Sequence, residues 1–191
     1  MYNNLMAFIL AILIQTICLG QSKDDYIVDH QKIIQSDFES SYGEGWLFKW
    51  NQNDTPHRII GKSIAMNFDG SDSYQSELNA RQFISSNYTL FNLSESDMEL
   101  WVNEQNGNLR YLIFNQVYNS IPVWNGRIDF RYRLNGDLVM VGHDAFPNLN
   151  INTHPGVSMY QAILYSQVQV DFDENLNDEV VGDPKLYIWV E

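Results

Sequence analysis

Three short turns between residues 97 and 146 constrain the fold of this chain more than any other feature of its sequence. Asn106-Gly107 and Asn135-Gly136 favour two-residue hairpin turns, because both residues of an Asn-Gly pair tolerate a positive φ. Asn119-Ser120 is a third candidate turn. Residues 127–134 alternate polar and apolar side chains without interruption, which is typical of a half-buried strand. The pattern predicts a four-stranded antiparallel meander.

Counting outward from the three turns assigns the side chains of this meander to two faces. Two-residue loops predict Val102 opposite Tyr111, Tyr111 opposite Ile128, Tyr132 opposite Val139 and Phe130 opposite Val141. A slip of one residue would expose the apolar set, so the registers support one another. The predicted inner face consists of Leu100, Val102, Tyr111, Ile113, Ile128, Phe130, Tyr132, Val139 and Val141. The predicted outer face consists of Trp101, Arg110, Leu112, Phe114, Gln116, Arg127, Asp129, Arg131, Arg133, Leu138 and Met140.

The predicted outer face collects four of the six arginines of an acidic chain, namely Arg110, Arg127, Arg131 and Arg133. One interpretation is a solvated sheet face with a few salt bridges, among them Arg110 opposite Asp129. The other is a docking surface for a protein, because arginine and large apolar side chains are enriched in interfaces. The sequence leaves both interpretations open.

Other elements surround the meander. We predict a helix around residues 27–38, strands at 46–50 and 58–66, and a helix at 74–86 capped by Ser71, Asp72 or Ser73. The 74–86 helix is expected to cover the inner face. The expected fold class is therefore α+β, a four-stranded antiparallel meander packed on a helix in a cystatin-like arrangement.

Residues 151–191 begin a second unit. Ser158 and Gln161 form a capping box at the start of a helix that runs to about Val168. An acidic loop follows at 171–183, and residues 186–190 are a predicted strand. Because the sequence stops directly after this apolar strand, we expect an incomplete α+β unit.

The first 20 residues carry no charged side chain and end in Cys18-Leu19-Gly20. This pattern predicts a signal peptide cleaved between Gly20 and Gln21, and hence a secreted protein, extracellular or periplasmic, without stable membrane insertion after cleavage. A membrane anchor and a lipoprotein modified at Cys18 are the alternatives. Cleavage would remove the one cysteine and leave no thiol nucleophile.

Charge and motifs exclude several classes of function. The formal net charge of -13 disfavours binding to nucleic acid, whose phosphates the chain would repel. No two of the four histidines have metal-binding helical spacing, and neither an H-E-x-x-H nor a G-x-S-x-G motif occurs. His143 is expected to be a packed structural residue. We therefore predict no catalytic residue, metal ligand or cofactor in this chain.

Two segments resemble the fungalysin/thermolysin propeptide domain. Residues 80–87, with Leu90, Phe91 and Leu93, resemble its opening helix. Its signature, a strand ending in Gln-x-Tyr before Asn-Gly-Ile-Pro-Val, resembles Gln116, Tyr118, Asn119, Ile121, Pro122 and Val123 of this chain, with Ser120 in place of glycine. Asn135 and Gly136 match the next hairpin. Residues 157–162 and 185–190 resemble the start of the PepSY domain that usually follows.

The resemblance covers about residues 75–191; together with the N-terminal pattern it predicts a domain division, and it implies a role. The division is a signal peptide at 1–20, a strand-containing segment at 21–73, the propeptide domain at 74–150 and a truncated PepSY-like domain at 151–191. Such regions assist the folding of a secreted zinc metalloendopeptidase and inhibit it until they are removed. The implied partner is the cognate catalytic domain, which would hold the zinc. The motif residues are expected to be mainly structural. A stand-alone secreted inhibitor or binding module of cystatin-like shape is the alternative.

Overall fold

The computed structural model describes residues 23–170, 172–173 and 178–190, with side chains from residue 29 onward except that of Glu95. The predicted signal peptide and its cleavage site between Gly20 and Gln21 lie outside the described residues. Within the described part of the chain, no helix has both the length and the apolar character needed to cross a membrane.

Six strands and four α-helices make up the described fold. The helices are α1 (Lys23–Tyr42), α2 (Ser73–Ser86), α3 (Tyr88–Phe91) and α4 (Met159–Gln169), and a 3₁₀ turn spans Glu95–Asp97. The strands are β1 (Leu47–Trp50), β2 (Pro56–Ala65), β3 (Met98–Asn106), β4 (Leu109–Tyr118), β5 (Ile121–Arg133) and β6 (Asp137–His143). This composition confirms the α+β class.

All six strands form one antiparallel sheet in the order β1-β2-β6-β5-β4-β3. The four strands β3 to β6 are the predicted meander. The predicted sheet had too few strands, because β2 also pairs with β6 and β1 pairs with β2. The N-terminal strands therefore belong to the same sheet as the meander.

The helices α1 to α3 supply apolar side chains to the core against the inner face of this sheet. Asp72 is the N-cap of α2, since its side chain accepts a hydrogen bond from the backbone N–H of Gln75. Phe83 of α2 packs edge-to-face on Phe130 in the central strand, with 5.9 Å between ring centroids. The prediction that α2 packs on this face is confirmed, and α1 extends the predicted 27–38 helix in both directions.

The three predicted turns behave differently. Asn119-Ser120 is a two-residue turn in which both residues have positive φ, 50° and 64°, as a type I′ turn requires. The first loop is Gly107-Asn108 rather than Asn106-Gly107, because Asn106 pairs with Leu109. At the third, the backbone N–H of Gly136 donates to the carbonyl of Arg133, and Gly136 has φ 85°.

A bulge in β5 overturns the predicted orientation of β4. Val117 pairs with Pro122, yet Asn115 pairs with Arg127, so β5 contains three more residues than β4 across this interval. An odd offset reverses which side chains of β4 point to the core. The inner side chains are thus Arg110, Leu112, Phe114 and Gln116, whereas Tyr111 and Ile113 lie on the outer face. Leu138, predicted to be outside, is also buried.

The predicted pairing of β5 with β6 is confirmed in part. Phe130 lies opposite Val141 as predicted, and His143 lies opposite Ile128. Arg131 lies opposite Met140, but Val139 is an extra residue of β6, so Tyr132 lies opposite Leu138 instead of Val139.

The edge strand β3 contains a second irregularity. Leu100 pairs with Phe114 and Val102 with Ile113, so Trp101 is an extra residue without a partner on β4. Its side chain is 63% exposed. The outer edge of the sheet is therefore interrupted near the middle of its length.

The C-terminal unit is less packed than the sheet. The predicted capping box of Ser158 and Gln161 is present, and α4 buries none of its residues. The predicted strand at 186–190 is reduced to one parallel bridge between Ile188 and Val123. Part of the acidic loop lies outside the described residues, and the proposed domain boundaries stay predictions.

Candidate interaction surface

The outer face of the sheet carries a network of side chains in ion-pair contact, from three strands and the loop after β6. One cross-strand row runs Ile113, Asp129, Gly142, Arg58 through strands β4, β5, β6 and β2. Residues in such a row share one face of the sheet. The row therefore places Arg58 and Asp129 on either side of a glycine.

Gly142 creates the space in which Arg58 reaches Asp129. A Cβ atom at Gly142 would lie 2.4 Å from Asp129 Oδ2 and 2.8 Å from Arg58 Nη1. Without that atom, Arg58 Nη2 lies 3.7 Å from Asp129 Oδ2, and Arg131 Nη1 lies 3.1 Å from the other carboxylate oxygen. The carboxyl group of Asp129 is buried, so these two guanidinium groups offset its charge, while its Oδ1 makes no hydrogen bond to the described residues.

Asp144, directly after β6, is the second acidic centre of this network. Its Oδ1 lies 2.5 Å from His57 Nδ1, and its Oδ2 lies 3.1 Å from Arg58 Nη1 and 3.5 Å from Arg127 Nε. Partial burial favours a higher pKa, but hydrogen bonds from His57 and Arg58 together lower the pKa of Asp144 below its usual value. Asp144 is therefore ionised at neutral pH.

Arg131 is held by an aromatic ring as well as by Asp129. Its guanidinium carbon lies 4.3 Å from the centroid of the Tyr111 ring, a cation–π geometry. Burial lowers the pKa of Arg131 despite the nearby carboxylate. The three guanidinium groups of Arg58, Arg127 and Arg131 share two carboxylates, so their network keeps an excess positive charge.

Three of the four arginines predicted for a docking face lie on this surface. The side chains of Arg127 and Arg133 are 45% and 58% exposed, and Arg133 Nη1 lies 3.8 Å from Asp137 Oδ2. Arg131 is more buried. We use the term arginine face for Arg127, Arg131 and Arg133 with the supporting Arg58, Asp129 and Asp144.

The predicted placement of Arg110 on the outer face was wrong. Arg110 lies opposite Tyr132 rather than Asp129, and its side chain is buried on the other side of the sheet. Its Nε donates to the carbonyl of Gly70 at 2.8 Å, and its Nη2 donates to the carbonyl of Ser71 at 2.5 Å. Arg110 therefore fixes the loop before α2 and belongs to the packing of the domain.

Gln116 of the family motif lies beneath the bulge of β5. The side-chain amide donates to the carbonyl of Phe146 at 2.7 Å and accepts from the N–H of the same residue at 2.8 Å. A Cβ atom at Gly126 would lie 2.7 Å from Gln116 Oε1, so the bulge needs a glycine there. Gln116 thereby ties the chain after β6 to the centre of the sheet.

The other motif residues take structural positions. Tyr118 and Ile121 close the turn formed by Asn119 and Ser120. Pro122 lies opposite Val117, and the buried Val123 pairs with Ile188. Asn135 Oδ1 accepts a hydrogen bond from the N–H of Asp137, and Gly136 lies in the same turn.

The sequence did not reveal the contribution of His57, Arg58 and Asp144. His143 is buried as predicted, and its Nε2 lies 3.0 Å from the carbonyl oxygen of Phe91. The hydrogen bond of Asp144 is with His57 and not with the adjacent His143. Burial lowers the pKa of His143 to about 4. The alternation of polar and apolar residues in 58–66 could have assigned Arg58 to one face of its strand, but it could not have placed Arg58 next to Asp129.

No cluster of three or more His, Cys, Asp or Glu side chains that could hold a metal ion occurs among the described residues. Comparison of the whole chain with family models, with curated proteins and with solved structures finds no match. The resemblance to propeptides therefore rests on the sequence motifs alone.

Proposed function

We propose that this chain is the propeptide region of a secreted zinc metalloendopeptidase of the thermolysin/fungalysin type. In this proposal it acts as an intramolecular chaperone and inhibitor by binding the catalytic domain, and it performs no catalysis itself. Zinc would be held by that partner. The observation that carries the proposal is the arginine face, on the side of the sheet opposite the helix-packed core.

The arginine face has the properties of a preformed binding surface. Asp129 and the Tyr111 ring hold Arg131 in place, and Asp144 Oδ2 lies 3.5 Å from Arg127 Nε, so binding through Arg131 would cost little side-chain entropy. Arg127 and Arg133 keep exposed hydrogen-bond donors. Planar guanidinium groups bind carboxylates in two-point contacts, and arginine is frequent among the residues that dominate binding energy.

The motif around residues 116–126 supports the identity of the partner. Its fairly specific string of residues forms a two-residue turn, a three-residue bulge and the Gln116 contact, and these features together build the strand that displays Arg127 and Arg131. The same residues that carry the family resemblance thus position the proposed surface.

A stand-alone secreted inhibitor is the second candidate, because the helix-and-sheet core is packed without any partner. In both proposed functions the chain binds a protease through the arginine face. The protease belongs to the same precursor in the first and is a separate protein in the second. An H-E-x-x-H sequence in the same open reading frame supports the propeptide role, whereas its absence from the complete frame supports the inhibitor.

The test is inhibition of a mature thermolysin-like protease by the full chain, measured as the initial rate of peptide hydrolysis. Replacing Arg127, Arg131 and Arg133 together by Gln should weaken inhibition at least ~10-fold, since arginine is enriched among the few interface residues whose removal costs more than ~1 kcal/mol. The matched control is Lys32→Gln, which removes an exposed cation from α1 on the opposite side of the sheet.

Lys32→Gln should inhibit as the parent chain does. Equal inhibition by the triple variant and the parent would refute docking through the arginine face. No inhibition of any protease in a panel that includes the cognate enzyme, together with no increase in its refolding yield, would refute the propeptide role.

A further inference from the structure

Three aromatic side chains form an exposed platform where the C-terminal segment meets the start of β5. Trp124, Tyr187 and Trp189 are 46%, 44% and 66% exposed. The Trp124 and Trp189 rings are stacked with 26° between their planes and 6.3 Å between centroids, and Tyr187 meets Trp124 edge-on at 5.4 Å. We call these three residues the aromatic platform.

Backbone hydrogen bonds hold this platform in place. The N–H of Trp124 donates to the carbonyl of Ile188, and the N–H of Ile188 donates to the carbonyl of Pro122, both at 2.8 Å. The side chain of Ile188 is buried between the two exposed residues that flank it. Because Tyr187 and Trp189 lie two residues apart about this anchor, their rings are set by the main chain rather than by mutual contact alone.

A small cleft adjoins the platform. Its volume is about 180 Å³, and its lining includes Tyr187, Trp189, Asn152, Thr153 and His154. The Oδ1 atom of Asn152 accepts from the backbone N–H of His154 at 3.0 Å, which fixes the amide at the rim. None of the residues that line this cleft is Asp, Glu, Lys or Arg.

We propose that the aromatic platform and this cleft bind a ring of a neutral saccharide. The C–H groups on one face of a pyranose pack on an indole or phenol ring, while amide, hydroxyl and imidazole groups at the rim bond to its hydroxyls. The cleft is smaller than usual ligand pockets of ~300–1,000 Å³, which suits a single ring of a longer chain lying across the surface.

Charge selects the class of saccharide. The formal net charge of -13 disfavours anionic polysaccharides, and the lining contains no Lys or Arg to pair with a sulfate or uronate. An apolar protein surface is the less suitable occupant, because it would cover the side-chain NH2 group of Asn152 and the hydroxyl group of Thr153 without bonding to them. This binding is independent of the arginine face and of the proposed inhibition.

The experiment titrates the full chain with neutral hexasaccharides of β-1,4-glucose, β-1,4-N-acetylglucosamine, β-1,4-xylose and α-1,4-glucose. Tryptophan fluorescence and calorimetry report binding, which we expect for at least one of them with a Kd below ~1 mM. Trp189→Ala and Trp124→Ala should each weaken that binding at least ~10-fold. Trp101→Ala, which removes an equally exposed indole from β3, should leave it unchanged.

Absence of heat and fluorescence change with all four sugars overturns the proposal. Equal loss of binding in Trp101→Ala overturns it too, since the platform would then have no special role. Circular dichroism confirms that each variant is folded, and Trp189→Phe, which keeps an aromatic face, should retain most of the affinity. A platform that instead mediates self-association would appear as a dimer in sedimentation that Trp189→Ala abolishes, and this outcome also refutes saccharide binding.

Discussion

Acidification should destabilise this protein through His143, which the fold buries in its neutral form. Nε2 lies 3.0 Å from the carbonyl of Phe91, and Nδ1 accepts from the N–H of Ala145 at 3.3 Å. Because Nδ1 is the acceptor, the single proton of the neutral ring is on Nε2, which donates it in a hydrogen bond to the carbonyl of Phe91. A second proton would break the Ala145 contact and place a charge beside the Phe91 ring, 5.4 Å away.

The magnitude follows from the pKa of His143 in the two states. Burial lowers it to about 4 in the folded protein from the ordinary value of 6.5. Between these values the unfolded chain binds the proton and the folded one does not, so the free energy of unfolding falls as the pH decreases from 6.5. The loss from this residue is about 2 kcal/mol at pH 5 and reaches about 3 kcal/mol below pH 4.

Urea unfolding at pH 7.5 and pH 5.0 measures this loss, with His143→Gln as the perturbation. Gln cannot titrate, so the stability difference between parent and variant should shrink by about 2 kcal/mol at the lower pH. Carboxyl groups titrate in both proteins and cancel in the comparison. His154→Gln, at an exposed histidine, should follow the parent curve. Parallel pH dependence of the parent and His143→Gln would refute the reasoning.

Three further predictions concern the network, a turn and the N-terminus. Gly142→Ala should lower the free energy of unfolding by about 2 kcal/mol in urea titration, because its Cβ would overlap Asp129; unchanged stability would contradict the packing described. Ser120→Gly should raise it by up to about 1 kcal/mol, since Ser120 has φ 64°, and a lower midpoint would contradict the strain argument. Mass spectrometry of the chain exported from a secretory host should find Gln21 as the first residue; an intact N-terminus would contradict signal cleavage.

Local signals predicted local structure well. The Asp72 cap, the capping box of Ser158 and the Asn119-Ser120 turn each depend on side chains within a few residues of one another, so the sequence alone indicates them. The Phe130–Val141 pair was also correct, because only a short turn separates the two strands.

The face of β4 was predicted wrongly for a non-local reason. A bulge of three residues between Pro122 and Arg127 shifts the register, and its size depends on contacts distant in sequence, including Gln116 with Phe146. The sequence carried a signal, since Pro122 lacks an N–H and favours an edge or bulge. It could not give the number of inserted residues, so Arg110 was assigned to the wrong side.

The candidate site was predicted only in part. Alternation along β5 correctly placed Arg127, Arg131 and Arg133 on one face, because that strand is regular there. The contribution of Arg58 depends on the pairing of β2 with β6, two strands separated by more than 70 residues. Periodicity within one strand contains no information about such a pairing.

The extra residue at Trp101 has a consequence for the solubility of the protein at high concentration. A free edge strand of nine residues could template the addition of strands from other molecules and so start fibrous aggregates. At Trp101 the ladder loses its regular spacing, and a bulky indole projects from the interruption. An incoming strand could match only short stretches on either side, so this one inserted residue disfavours the growth of ordered aggregates from this edge.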